Sequence, residues 1–288
     1  KQRWMKMGAG IVRLCGRRLP TVTISRAGSY TSNVSTTRSM SSSAVGGGFF
    51  ELRQYDISPG GLKAYLDETA KSAPVRSAMF GSDNSRWLCF MTTEIGGNLS
   101  RVHHLYYYKD FDTRDEVRAA VAADARWASY LKEVKPHMLN QSSHIYVQAD
   151  ATLQAAGLGG ALHFKPDVAE MSTLPPTSAV CYELRRYQLK LGYPTVPDFL
   201  KSYGEGLQDK LRADDSGAST LVTLLYNEVG PLNTVLELWR HQSMQRSQDS
   251  RVASRKAPLW KKAVARNADL GMTFDNQFLR PTAFSPWK

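Results

Sequence analysis

Phe50-Glu51-Leu52-Arg53-Gln54-Tyr55 is written a second time as Tyr182-Glu183-Leu184-Arg185-Arg186-Tyr187, 132 residues further on. Three more matches follow in the same order. Glu94-Ile95-Gly96 returns as Glu228-Val229-Gly230, Leu105-Tyr106 as Leu238-Trp239, and Arg118 with Trp127 as Arg251 with Trp260, at offsets of 133 or 134. A period this long belongs to a domain, not to a solenoid unit. The chain therefore carries a tandem duplication of a domain of about 100 residues.

Both copies carry the same succession of local signals. The first has an alternating run at 49–55 and a helical spacing on Leu62, Tyr65, Leu66, Thr69, Ala70 and Ala73. Two β-rich runs, 86–95 and 101–108, flank the turn Gly96-Gly97-Asn98. Thr113-Arg114-Asp115-Glu116 has the capping-box form and opens one helix with Val117, Val121, Ala128 and Leu131 on a side; a strand at 137–148 follows. The second copy gives a strand at 180–189, a helix from Thr195 and Pro197, a strand pair at 221–229 and 234–240, and a last strand at 272–279. Its second helix, 244–268, contains Pro258, which should kink it or end one segment.

The order β-α-β-β-α-β is the split-βαβ, ferredoxin-like arrangement, so the expected class is α+β. Helices cover one face of each four-stranded sheet and leave the other bare. Two tandem domains packed sheet to sheet would bury both bare faces, a gain of several kcal/mol at about 25 cal/mol per Å². The expected boundaries are 1–48 for a presequence and joint, 49–148 for the first domain, 149–177 for a linker and 178–288 for the second domain. A short helix is expected near 151–156.

The net charge of +11 is concentrated at one end. Residues 1–48 hold 8 basic and no acidic residues, leaving 29 basic against 26 acidic in the remainder. The body is near neutral, which argues against a nucleic-acid partner. The same 48 residues are rich in Ser, Thr and Arg, the composition of a mitochondrial or plastid transit peptide. Cys89 and Cys181 sit in apolar strand contexts with no paired spacing and read as reduced, buried small hydrophobes.

Alternation sorts the repeated strand. Glu51, Arg53 and Tyr55 share a face with His104 and Tyr106; Glu183, Arg185 and Tyr187 share one with Glu237 and Trp239. This polar face is expected between the two sheets, either as an ion-pair network in which each Glu and Arg satisfies the other or as a ligand pocket. Adjacent His103 and His104 point to opposite faces, and no metal-ligand spacing, nucleophile motif or phosphate loop stands out, so no metal, cofactor or catalytic residue is expected. Arg255, Lys256, Lys261, Lys262 and Arg266 make the last helix strongly basic, a solvated face or a dock for an acidic protein or anionic lipid.

The Tyr-Glu-Leu-Arg-x-Tyr opening, the turn Glu228 to Asn233 running into Leu238-Trp239-Arg240, and the Arg-to-Trp helix resemble the NIPSNAP family over about 49–148 and 178–286. Tyr106 and Gly97 depart from the pattern in the first copy. Pro258 departs in the second, where a plain helical residue is expected before Trp260. The resemblance implies a mitochondrial protein, in the matrix or on the matrix face of the inner membrane, with its two sheets packed as a dimeric α/β barrel inside one chain. It implies no established catalytic residue. It also implies action through other mitochondrial proteins, in mitophagy and quality control or as an accessory subunit of a large inner-membrane complex, with a homo-oligomer compatible with either. The alternative is a small-molecule binder or monooxygenase-like enzyme using the inter-sheet pocket.

Overall fold

The computed structural model describes residues 47–166 and 180–288. Nearly all of the presequence, and the Pro175-Pro176 stretch of the linker, lie outside them. In the first half the strands are β1 (Phe49–Ile57), the two-residue β2 (Gly81–Ser82), β3 (Ser85–Ile95), β4 (Arg101–Tyr108) and β5 (Met138–Gln148). In the second they are β6 (Cys181–Leu189), β7 (Ser219–Val229), β8 (Thr234–His241) and β9 (Gly271–Pro281). The four long strands of the first half lie in the order β3-β4-β1-β5, and those of the second in the equivalent order β7-β8-β6-β9.

The α+β class holds, and the two sheets also join at their edges. β5 pairs antiparallel with β7 from Ile145↔Val229 to Gln148↔Leu225. β3 pairs antiparallel with β9 from Met91↔Pro281 to Ile95↔Phe278. The eight long strands thereby close into a barrel, which removes the exposed edges an open sheet would present. Both halves fall within one compact unit that runs to Lys288.

The barrel interior is largely apolar, with His103 and Thr223 among the leucines. Phe50, Leu52 and Leu105 of the first half meet Tyr182, Leu184 and Leu238 of the second. Only a void of about 20 Å³ remains among them, room for about one water. Phe164 and Trp287 join this interior cluster edge to face, 5.3 Å apart. Cys89 and Cys181 are buried and free.

The interior placement of the polar face is therefore corrected. Glu51, Arg53, Tyr55, His104, Tyr106 and their second-half counterparts occupy the outer face of each sheet, beneath the helices. Both faces of β4 and β8 are buried, and Phe50 and Glu51 alike on β1, so alternation separated the two sets correctly without telling which was inside. The physical reason for the outcome is satisfaction of charge: helices can bring donors to a carboxylate, whereas a closed apolar barrel cannot.

Helices α1 (Leu62–Met79), α2 (Phe111–Ala123) and α3 (Ala125–Val134) cover the first sheet. The short α4 (Asp150–Ala155) follows β5. The second sheet is covered by α5 (Thr195–Ala213), α6 (Met244–Ser254) and α7 (Pro258–Leu270). The single helix expected after Thr113 is two. Asp110, not Thr113, caps the first by accepting from Thr113 N at 2.7 Å. Asp124 interrupts the run and caps the next, accepting from the backbone N–H of Arg126 at 2.8 Å and Trp127 at 3.2 Å. Pro258 sits at the matching break in the second half, at the first helical position that proline favours. It ends one helical segment and opens the next, as expected of a proline there. The α5–α7 contact is close: a Cβ on Gly206 would come within 2.7 Å of Ala263 Cβ.

Candidate functional site

Glu51 is fully buried on β1. Its carboxylate accepts from Arg53 Nη1 (2.9 Å), Arg114 Nε (2.9 Å), Arg118 Nη2 (3.1 Å) and Ser143 Oγ (2.6 Å). Arg114 and Arg118 lie one turn apart on α2, which fixes that helix over the strand. Burial pushes the Glu51 carboxyl up, but the Arg114 hydrogen bonds and the Arg118 charge outweigh it and bring it down to about 2.

Glu183 repeats this on β6. It accepts from Arg185 Nε (2.9 Å), Asn276 Nδ2 (2.8 Å) and Ser247 Oγ (3.3 Å), and pairs with Arg251 and His241. Burial opposes its ionisation here too, and the His241 and Arg185 contacts hold the carboxyl well below the usual range. For these two glutamates the ion-pair expectation is met.

Above the networks sits a buried cation in each half, and neither was anticipated from sequence. Arg76 on α1 is only 2% exposed. Its Nη1 donates to Tyr106 OH at 2.7 Å and lies 3.0 Å from His104 Nδ1, and its Nη2 donates to Tyr130 OH at 3.3 Å. The guanidinium carbon lies 5.0 Å from the Trp127 ring centre and 5.3 Å from that of Trp87. Lys210 on α5 lies 134 residues later. Its Nζ is 3.7 Å from the Trp239 ring centre and 4.5 Å from that of Trp260. Burial, assisted by the Arg185 charge, pulls the Lys210 ammonium down to about 7. The expected helical stripe on α1 stopped at Ala73, and a cation on an apolar stripe reads as solvated. The signal that could have found the pair is their spacing, which equals that of Glu94 and Glu228.

A cavity opens beside each network, between sheet and helices. The first, about 200 Å³, is lined by Arg53, Tyr55, Arg76, His104, Tyr106, Arg118, Trp127 and Tyr130, among others. The second, about 380 Å³, is lined by Arg185, Tyr187, Phe199, Tyr203, Trp260, Met272 and Phe274, among others. The latter reaches the lower end of the ~300–1,000 Å³ typical of small-molecule sites. Of the ten predicted face residues, six line these cavities. Glu51, Glu183, Glu237 and Trp239 are buried in the adjoining networks. The halves differ at one decisive position. His104 of the first is Glu237 in the second, whose carboxylate accepts from Tyr187 OH (2.5 Å) and Trp239 Nε1 (2.6 Å).

The predicted basic group is elsewhere. Arg255 and Lys256 follow α6, and Lys261, Lys262 and Arg266 lie on α7, all exposed. Arg266 is engaged with Glu205 at 2.6 Å.

Comparison with known proteins locates the same duplication. The NIPSNAP family model matches twice, at residues 50–152 and 182–286. The chain is 28% identical to human Protein NipSnap homolog 3A over 243 residues, 83% of this chain and 86% of that protein. It is also 28% identical to mouse Protein NipSnap homolog 3B, over 84% of this chain and 87% of that one. Among solved structures it resembles a proposed monooxygenase from Lactobacillus acidophilus, with a TM-score of 0.52 and 8% identity, covering 82% of this chain and 94% of the other. That last likeness is one of fold alone.

Proposed function

The chain belongs to the NIPSNAP family, and we propose that it works as a mitochondrial binding protein rather than a catalyst, with the two sheet–helix cavities as its receptor sites. In this reading the barrel is a pair of ferredoxin-like halves fused into an intramolecular equivalent of a dimer, each half offering one cavity. The observation that carries it is the repetition of the cavity walls. Arg53 and Arg185, Tyr55 and Tyr187, and Trp127 and Trp260 line the same place in both halves. Packing alone favours filled space, because protein interiors are dense and voids larger than a water molecule are few. A space kept twice between the same walls supports occupancy by a ligand.

A thermal-shift screen of small organic acids, amines and neutral compounds tests this. Ligand classes that raise the melting temperature are expected, and Ala268→Trp, on the wall of the second cavity, should abolish the response of that half. A screen with no stabilising class, on protein from which no small molecule co-purifies, overturns it.

Docking to other mitochondrial proteins is the second reading, in quality control and mitophagy or as an accessory subunit of a large complex. It is favoured by Leu191 and Tyr193, 91% and 100% exposed on the loop between β6 and α5. The first half has Ser58-Pro59-Gly60-Gly61 at the corresponding place. Exposed large apolar side chains clustered on one loop suit a protein interface, and Lys261 and Lys262 offer a separate basic face for an acidic partner or anionic lipid. The double variant Leu191→Asp/Tyr193→Asp should lose the proteins that the parent chain retains from a mitochondrial extract. An unchanged set of retained proteins removes this reading.

A further inference from the structure

We propose that the cavity of the first half is a binding site for a small organic carboxylate, and that in the second half Glu237 supplies the same acceptor from within the chain. The proposal rests on the reading of the cavities as receptor sites and assigns one of them its ligand chemistry.

The charge balance around the first cavity comes first. Arg53, Arg76 and Arg118 line it, as does the exposed Lys135. One carboxylate, Glu51, serves this group, and its oxygens are already shared among Arg53, Arg114, Arg118 and Ser143. Arg76 has hydroxyls, a ring nitrogen and aromatic faces around it but no carboxylate contact among the described residues. Arginine does not shed its proton in proteins. A buried guanidinium without a counter-charge is costly, and an acid entering from solution would supply one.

The hydrogen-bond inventory points the same way. Burial and the Arg76 charge keep His104 neutral. Arg76 can only donate, so His104 Nδ1 accepts and the ring proton resides on Nε2. Among the described residues that Nε2–H has no partner, and neither do Arg76 Nε–H and Arg118 Nε–H. All three orphaned groups on lining side chains are donors, and all are buried. A carboxylate accepts through two oxygens with about four lone-pair directions and matches such a set. Tyr55, Trp127 and Tyr130 add aromatic wall, and about 200 Å³ limits the body of the acid to a single ring or a short chain.

The second half supplies the contrast. Glu237 stands where His104 stands, and its carboxylate is taken up by Tyr187, Trp239 and, at 3.8 Å, Arg185. The acceptor that the first half lacks is there part of the chain.

Calorimetric titration of the whole chain with benzoate, against benzyl alcohol as the neutral isostere and sodium chloride at matched ionic strength, tests the assignment. One benzoate per chain is expected, with benzyl alcohol and chloride much weaker. His104→Glu should weaken benzoate by about 10- to 100-fold, the equivalent of losing a charge-assisted hydrogen bond. It should not lower the melting temperature, since it gives Arg76 a partner. His104→Gln keeps a neutral donor and should stay within about threefold. If His104→Glu does not fold, the anion preference and the His104→Gln result decide. Two benzoates per chain, unaltered affinity in a folded His104→Glu, or equal binding of benzyl alcohol overturns the carboxylate assignment. In the last case the cavity still binds and the broader reading survives. Failure of all probes, together with a silent thermal-shift screen, removes both.

Discussion

Glu183→Gln is expected to destabilise the protein by about 3–5 kcal/mol at neutral pH, the cost of breaking a buried ion pair by removing one partner. The change is nearly isosteric, yet it leaves Arg185 and Arg251 without the carboxylate between them and weakens the anchor of α6 on β6. A denaturation midpoint measured at pH 7 reads the loss. The pH dependence separates charge from packing. Both buried carboxyls are held below their ordinary range, so the stability they confer is fully present above the ordinary value of 4.5. It declines as the pH falls below that value, towards about 2 for Glu51. The gap between parent and Glu183→Gln should therefore narrow in acid. A gap that stays constant from pH 7 to pH 3 would show that the charge is not what matters.

Trp287→Ala should cost about 3–5 kcal/mol, the range for deleting a large aromatic side chain from a core. Trp287 lies outside the strands but joins the barrel cluster. Its backbone N–H donates to the Leu88 carbonyl at 3.2 Å, and its ring meets Phe164 edge to face. The neighbouring Lys288 carbonyl accepts from Tyr182 OH at 2.9 Å and Arg240 Nε at 3.0 Å. The segment thus closes over interior side chains of the barrel. Chemical denaturation, with the exposed Lys261→Ala as a control within about 0.5 kcal/mol of the parent, checks this. A loss below about 1 kcal/mol would mean the interior is sealed without it.

Much of this architecture was legible in the chain because duplication writes each constraint twice. Glu51 and Glu183 marked a face, Arg118 and Arg251 marked the helix that answers it, and strand limits such as 101–108 agree with the structure. The inside of the barrel was not legible, because Phe50 and Glu51 are equally buried and burial on both sides erases the usual polar-out signal. Helix breaks were half legible. Pro258 announces one, whereas Asp124 acts through a side-chain cap that a run of helix-compatible residues conceals. Arg76 and Lys210 were hidden by a sound rule that they violate: long cations belong at the surface unless aromatic faces and hydroxyls replace water around them.

Closure of the barrel through β5–β7 and β3–β9 uses two seams that a pair of separate half-barrels would form across a two-fold axis. In a homodimer every substitution appears on both sides of that axis, so neither site can change without its twin. One continuous chain is released from that bond. A histidine can stand in one half and a glutamate in the other while the shared interior goes on requiring both, so the two halves are free to differ in charge beside their cavities.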